Sequence, residues 1–369
     1  MRAANSIDFW RGFALVTIFI DHVPGILFER YTFREYSLSD SAELFVFLAG
    51  FSLRFVVQSF ADEPLSALVY RLAGRALTIY FAQLVITLFA LAIIAGASRM
   101  LDQPYILQWH NAAAAFDDPV EAHIGMVLLR YQLGYFNILP LYVVLMAAGP
   151  SIAAIDRLSP RLLLPLSFAL YLYTVVTGFN LPTWPVEGHW FFSPFAWQFI
   201  FILGFVLGGP RGWSRFSPRT KTILFWLSAA QTALGATIAL TDFTPDPANL
   251  PDPKLFFLFD KTYLSPARVV HALALACFFS GAFATLSRWA APLTEYLALL
   301  GRNSLNVFCT ASLLSLCGQI ARYMYNGRLE IDFLVLIVGL TGMGIAAWVS
   351  EWRKRLAERR ARRLAKASV

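Results

Sequence analysis

The sequence predicts an all-α polytopic membrane protein with about ten transmembrane helices, on the basis of its composition and its regularly recurring apolar runs. Of 369 residues, 58% are hydrophobic and only 14% are charged, whereas soluble domains carry roughly 25% charged residues. The composition therefore excludes an ordinary soluble globular protein. We expect residues 1–352 to form one transmembrane domain, followed by a basic cytoplasmic tail over 353–369.

The predicted spans are the runs long enough to cross the hydrocarbon core, which needs about 20 apolar residues in a helix. The sixth run is short and starts at Pro194, and we find no cleavage site of small residues after the first run. We therefore predict no cleavable signal, and each run is read as a helix that stays in the membrane. The ten predicted spans are 9–28, 42–59, 76–97, 138–155, 162–178, 194–208, 223–240, 267–286, 304–320 and 333–349.

The distribution of basic residues predicts the orientation of these spans. Ten crossings place both termini on one side, and the connections on that side hold 19 Lys and Arg residues against 8 on the other. Because cytoplasmic loops carry the excess of Lys and Arg, we predict cytoplasmic N- and C-termini. The basic tail is typical of an anchor on anionic headgroups, so the lipid bilayer is its expected partner and nucleic acid is not.

The cysteines give no indication of a metal site or a disulfide framework. All three (Cys277, Cys309 and Cys317) lie in apolar runs and lack metal-ligand spacing. Small buried residues are the simplest interpretation, and no metal is predicted.

The first predicted span contains the strongest functional signal, because it ends on an acid and an imidazole. Ionisable residues inside a span are rare and usually functional. Arg11 and His22 are eleven residues apart, which is roughly three helical turns with a rise of about 16 Å, so they share a face. Asp21 points about 100° away from His22. The next predicted span places Glu43 at a similar depth, where a carboxylate would orient an imidazole and raise its basicity. His22, Glu43 and Asp21 are the predicted catalytic residues.

Further polar residues fall into two groups along the predicted topology. The outer group is predicted to bind a substrate and consists of Asn137, Gln198, Lys261, Arg268 and His271. The inner group is predicted to bind a polyanion and consists of Arg11, Arg54, Arg71, Arg75 and Arg302. Simpler interpretations exist for both groups. Asn137 and Gln198 are typical of interhelical hydrogen bonds, and arginines at the inner ends of spans also serve topology alone.

Seven segments, in order, resemble one family of membrane enzymes: FWRG, DHVPG, SDSAELFVFLAGF, YFNILPLYVV, PFAWQFIFILG, PARVVHALAL and LGRNSLNVF. The first of these regions resembles the first helix of acyltransferase-3 membrane enzymes, in which an arginine and a histidine are separated by ten residues, as Arg11 and His22 are. The fuller set is similar to the OpgC family, which succinylates osmoregulated periplasmic glucans. Many acyltransferase-3 enzymes have an R-x-x-R pair, whereas Arg71 and Arg75 here are spaced by four.

The resemblance implies a multi-pass acyltransferase of the bacterial inner membrane, with His22 as its catalytic histidine. It implies acyl-CoA, with succinyl-CoA expected, as a co-substrate reached from the cytoplasm and a periplasmic glycan as acceptor; no permanently bound cofactor is expected. In the predicted mechanism Glu43 orients His22, the inner arginines hold the phosphates of coenzyme A, and Arg268 with Asn137 or Gln198 stabilises the oxyanion or binds a succinyl carboxylate. Direct transfer and a transient acyl-histidine both stay open, as does the oligomeric state.

Two other classes of function fit the same residues. In a transporter of glycans or small anions, the intramembrane charges would line a translocation path. A catalytically inactive relative would serve as a scaffold. The absence of a recognisable inverted repeat counts against the transporter, and the intact Arg11, His22 and Glu43 set counts against the scaffold.

Overall fold

The structure, a computed structural model, describes residues 4–210 and 212–367. Within these ranges the predicted all-α class is confirmed, since they contain helices and turns and no β-strand beyond an isolated bridge between Pro182 and His189. The chain divides into two compact units. The first unit comprises Met1–Thr32 and Gly281–Val369, and the second comprises Phe33–Ser280.

The α-helices are numbered here in chain order. They are α1 (Ser6–Asp21), α2 (Ser41–Ser59), α3 (Leu65–Leu101), α4 (Ala114–Asp117), α5 (Pro119–Val127), α6 (Ile138–Leu158), α7 (Pro160–Thr177), α8 (Pro194–Leu207), α9 (Pro218–Leu240), α10 (Pro266–Phe278), α11 (Ala282–Trp289), α12 (Ala291–Arg302), α13 (Ser304–Met324) and α14 (Leu329–Ala367). Short 3₁₀ turns connect them at Leu27–Tyr31, Phe33–Tyr36, Pro104–Asn111, Trp213–Arg215, Lys254–Phe256 and Phe279–Gly281.

Eight helical segments in the described ranges are long and apolar enough to cross a membrane. They are Ser41–Ser59, Leu65–Leu101, Ile138–Leu158, Pro160–Thr177, Pro218–Leu240, Pro266–Trp289, Ser304–Met324 and Leu329–Ala361. The predicted first and sixth spans form the shorter helices α1 and α8, of 16 and 14 residues. At 1.5 Å per residue these are about 24 Å and 21 Å long, below the roughly 30 Å of a hydrocarbon core. The predicted count of ten is therefore not confirmed.

Two predicted helix boundaries are wrong for local reasons. The first span was expected to reach residue 28, but α1 ends at Asp21, because His22 caps the helix and Pro24 and Gly25 follow. The third span was expected to start at residue 76, but α3 starts at Leu65, directly after Pro64. Arg71 and Arg75 consequently lie on a helix and not in a connection.

The predicted tail is continuous with the last span. Helix α14 runs without interruption from Leu329 to Ala367, through the predicted boundary at residue 352. The division into a transmembrane domain and a tail stays a prediction, as does the cytoplasmic location of both termini.

In the first unit, α1 packs against α12 at two reciprocal glycines. A Cβ atom added to Gly12 would meet the carbonyl group of Leu297, and one added to Gly301 would meet the carbonyl group of Asp8. Small residues allow two helix backbones to approach this closely, which is the usual basis of helix association in lipid. This contact sets the position of α1, the helix that ends on His22.

The second unit has the same kind of reciprocal glycine contact, between α2 and α8. A Cβ atom on Gly50 would meet the carbonyl group of Phe201, and one on Gly204 would meet the carbonyl group of Phe47. The short, buried helix α8 is therefore held directly against α2, which has Asp40 as its N-cap and Glu43 in its first turn.

The glycine contact between α2 and α8 gives a prediction about stability. Gly204→Ala should lower the stability by about 1–3 kcal/mol, because the methyl group would overlap the Phe47 backbone. Gly96→Ala is the matched control, since Gly96 also lies in a helix but has no atom within 4 Å of an added Cβ. That control should leave stability unchanged or raise it by up to about 1 kcal/mol. Thermal unfolding of the purified variants in detergent compares the two, and equal unfolding temperatures would contradict the contact.

Candidate functional site

His22 lies immediately after the last residue of α1. Its backbone N–H donates to the carbonyl of Ile18 at 3.0 Å, and its own carbonyl accepts from the Nε2 of Gln319 on α13 at 2.6 Å. The residue is half-buried and its Nδ1 atom is enclosed by protein. The backbone of His22 is thus held on both sides while part of the residue stays exposed, which suits a proton-transfer group with a defined orientation.

The neighbours of His22 on α1 occupy the positions that the helical spacing predicts. The helix is continuous from Ser6 to Asp21, so the spacing of Arg11 and Asp21 relative to His22 holds along it. Asp21 is buried and Arg11 is half-buried. At the start of the helix, the carboxylate of Asp8 accepts from the side-chain amide of Asn5 at 2.6 Å.

In the second unit, Glu43 forms a capping box with Asp40 at the start of α2. The Asp40 carboxylate accepts from the N–H of Ala42 at 2.8 Å, and the Glu43 carboxylate accepts from the N–H of Asp40 at 3.0 Å. Two N–H groups that the helix leaves without partners are satisfied in this way. Glu43 is fully buried, with no exposed surface.

Two cations complete what we term the four-charge cluster, consisting of Asp40, Glu43, Lys261 and Arg268. The Nε of Arg268 donates to Oε1 of Glu43 at 2.7 Å, and its Nη2 lies 2.5 Å from the same oxygen and 3.5 Å from Asp40. Lys261 forms an ion pair with Asp40, and its Nζ lies 5.7 Å from the ring centroids of both Phe191 and Phe192. With all four groups ionised, the cluster has no net charge.

The pKa of Asp40 reflects this environment. Burial by itself would raise the pKa of the Asp40 carboxyl, but the charges of Lys261 and Arg268 outweigh it and hold the pKa well below its usual range. Asp40 is therefore an anion at neutral pH, and it neutralises part of the positive charge of Arg268.

Three of the predicted substrate-binding residues, Gln198, His271 and Asn137, are buried or half-buried in the second unit. The Oε1 of Gln198 on α8 accepts from the hydroxyl of Ser167 on α7 at 2.6 Å, and its Nε2 donates to the Ser167 carbonyl at 2.9 Å. His271 is fully buried on α10, with its Nε2 2.9 Å from the Oγ of Ser37. Asn137 is half-buried directly before α6. The pairing of Gln198 with Ser167 matches the interhelical interpretation.

The predicted inner arginines differ in how exposed they are. Arg54 forms an ion pair with Asp156 at 2.5 Å and lies 4.9 Å from the ring centroid of Phe205. The Nε of Arg302 lies 3.7 Å from Glu351. Arg71 and Arg75 are exposed on α3, and their spacing of four places them on one face of that helix.

Several residues of these sites were not predicted. Asp40 had a readable signal, because D-x-x-E before an apolar run is a capping-box signature. Gln319 had none, since nothing local connects it to a residue 297 positions earlier. His22 belongs to the first unit and Glu43 to the second, so their predicted partnership, and that of Asp21, stays a prediction. Within residues 4–210 and 212–367, no group of three or more His, Cys, Asp or Glu side chains could hold a metal ion.

Comparison with known families identifies the chain. A family model described as OpgC protein matches residues 2–355. The chain belongs to the OpgC family. The resemblance seen in the seven sequence segments is thereby confirmed, and OpgC membership indicates a glucan-modifying acyltransferase. Neither the comparison with curated proteins nor the one with solved structures found a match.

The four-charge cluster predicts unequal effects of removing its two cations. Arg268→Met should destabilise the protein by about 3–5 kcal/mol, because it leaves the fully buried Glu43 without its cation. Lys261→Met should cost about 1 kcal/mol or less, because the Lys261 side chain is 29% exposed. Thermal unfolding in detergent measures both losses of stability. Equal losses would show that the burial of an ion pair does not determine how much it stabilises this protein.

The lowered pKa of Asp40 predicts a pH dependence of stability. A carboxyl whose pKa is lowered on folding stabilises the protein above its unfolded pKa of about 3.9, and this contribution disappears as the pH falls through the folded pKa. The unfolding temperature of the wild type should therefore fall below about pH 4, and Asp40→Asn, which keeps the capping oxygen, should flatten part of that fall. Identical pH profiles would contradict the assignment.

Proposed function

We propose that this protein is a membrane O-acyltransferase that moves an acyl group, most simply succinyl, from cytoplasmic acyl-CoA to a hydroxyl of a periplasmic glucan. Membership of the OpgC family over residues 2–355 supports the reaction class. The observation that carries the proposal is the placement of His22 at the end of α1, half-exposed and held by backbone hydrogen bonds on both sides.

In the proposed reaction, His22 is the general base. Its imidazole accepts the proton of a sugar hydroxyl as the hydroxyl oxygen attacks the thioester carbonyl. The new ester bond forms as the carbon–sulfur bond breaks, and the imidazolium returns its proton to the departing thiolate of coenzyme A. No oxidant, metal or further co-reactant is needed for this balance.

Among the predicted donor-binding residues, Arg71 and Arg75 are the best candidates for the phosphates of coenzyme A. Both are exposed and lie one turn apart on α3, a spacing that lets two guanidinium groups contact one polyanion. Arg54 and Arg302 are less accessible to a donor, since their side chains are only 13% and 10% exposed. We therefore assign them a lesser role.

The proposed membrane arrangement keeps both termini in the cytoplasm of a bacterium, with the protein in the inner membrane. It rests on the excess of Lys and Arg in alternate connections. Ten crossings require α1 and α8 to complete their passage with non-helical flanking residues or local thinning of the bilayer, each at a modest cost.

The test of the proposed base is a transfer assay with purified protein, radiolabelled succinyl-CoA and periplasmic glucan. His22→Ala should lower transfer by about 10²–10⁴-fold, the contribution typical of a general base, while binding of succinyl-CoA is retained. His123→Ala is the matched control, because His123 is an exposed histidine on α5, and it should transfer at the wild-type rate.

Each outcome of that assay has a separate meaning. Wild-type transfer by His22→Ala would contradict the proposal. Release of coenzyme A that depends on His22 without labelled glucan would keep the chemistry and reject the acceptor. Faster transfer from acetyl-CoA than from succinyl-CoA would reject the succinyl group.

A further inference from the structure

The chain segment directly after the proposed base is held by side chains from two distant helices. We term residues 22–27 the post-histidine turn. Its His22 carbonyl accepts from Gln319 at 2.6 Å, its Gly25 carbonyl accepts from Nη2 of Arg322 at 2.5 Å, and its Leu27 N–H donates to Oδ2 of Asp332 at 2.8 Å. These contacts all lie within the first unit.

Arg322 and Asp332 also form an ion pair with each other, so the two anchors act as one group. Their side chains are only 13% and 5% exposed. The pair therefore offers the turn a donor for one carbonyl and an acceptor for one N–H, in a fixed order along the chain. If the pair served only to neutralise charge, the arginine and the aspartate could exchange places without loss. Here the arginine must face the Gly25 carbonyl and the aspartate must face the Leu27 N–H.

Two glycines leave room for the guanidinium group. Gly25 and Gly327 both have left-handed backbone conformations, with φ of +75° and +64°, which glycine adopts at little cost. A Cβ atom on Gly25 would lie 3.4 Å from Nη2 of Arg322, and one on Gly327 would lie 3.2 Å from it. The N–H of Gly25 is also bound, since it donates to Glu29 at 2.8 Å.

We infer that Gln319, Arg322 and Asp332 are positioning residues, which together we term the clamp. They fix the His22 imidazole by holding the backbone of the post-histidine turn in place. This inference rests on the proposed function of His22 as the base. The clamp matters because His22 is the C-cap of α1. The carbonyl groups of a helix's last turn have no partner within the helix, and the end frays unless they find one elsewhere. A shift of about 1 Å in a catalytic group lowers the rate by as much as about 10²-fold.

The first experiment compares Gln319→Leu and Arg322→Lys with two controls in the transfer assay. Each clamp variant should lower kcat by about 10–100-fold with the KM for succinyl-CoA unchanged, because the base is displaced and the donor site is not. Glu330→Gln alters the exposed pair with Arg328, and Arg157→Lys alters an arginine that binds the carbonyls of Phe60 and Glu63. Both controls should keep the wild-type kcat, and wild-type kcat in the two clamp variants would overturn the inference.

A charge swap separates positioning from simple stabilisation. Arg322→Asp combined with Asp332→Arg restores neutrality but places an acceptor against the Gly25 carbonyl and a donor against the Leu27 N–H. We expect the swap to recover the unfolding temperature relative to Arg322→Asp alone while kcat stays low. Recovery of kcat to the wild-type value would overturn the inference. If the swap does not fold, Gln319→Leu decides, because it removes no charge.

A measurement independent of transfer distinguishes a failure of the clamp from a failure of the proposed function. Diethylpyrocarbonate modifies accessible histidines, and mass spectrometry reports the rate at each one. Arg322→Lys should change the modification rate of His22 by several-fold and leave that of His123 unchanged. Equal His22 rates in variant and wild type would overturn the clamp. A changed His22 rate, together with full transfer by His22→Ala, would keep the clamp and reject the base.

Discussion

The buried contact between Arg268 and Glu43 is the interaction on which the second unit depends. Glu43 has no exposed surface, and a charge in such a place is tolerated only when another charge and hydrogen bonds compensate it. Arg268 supplies the charge and the backbone of Asp40 supplies a hydrogen bond. Because Arg268 lies on α10 and Glu43 on α2, this contact also ties together helices far apart in the chain.

The same requirement changes how the charged residues of this protein are assigned to function. The sequence suggests a row of cations available to a substrate. In the structure Arg268, Lys261 and Arg54 each have a carboxylate partner that neutralises part of their charge. Arg71 and Arg75, by contrast, are exposed side chains on α3.

In the first unit, the polar backbone groups at the end of a helix likewise need hydrogen-bond partners. Helix α1 stops before Pro24, and the carbonyl and N–H groups beyond its end find partners on α13 and α14. Reciprocal glycine contacts with α12 hold the body of the same helix. A proposed base at such a helix end combines a side chain that can meet a substrate with a backbone that cannot move freely, which is the arrangement that proton transfer needs.

Sequence and tertiary structure contributed different parts of this description. Composition and periodicity determine the all-α membrane class, and the seven segments determine the OpgC family, because these depend on local hydrophobicity and short motifs. The capping box at Asp40 and Glu43 is also local. The end of α1 and the start of α3 lie beside the local prolines Pro24 and Pro64, whereas the partners of Arg268 and Gln319 were decided by tertiary structure. The last two contacts join residues 225 and 297 positions apart, and no local pattern encodes which distant side chain will satisfy a buried charge or a free helix end.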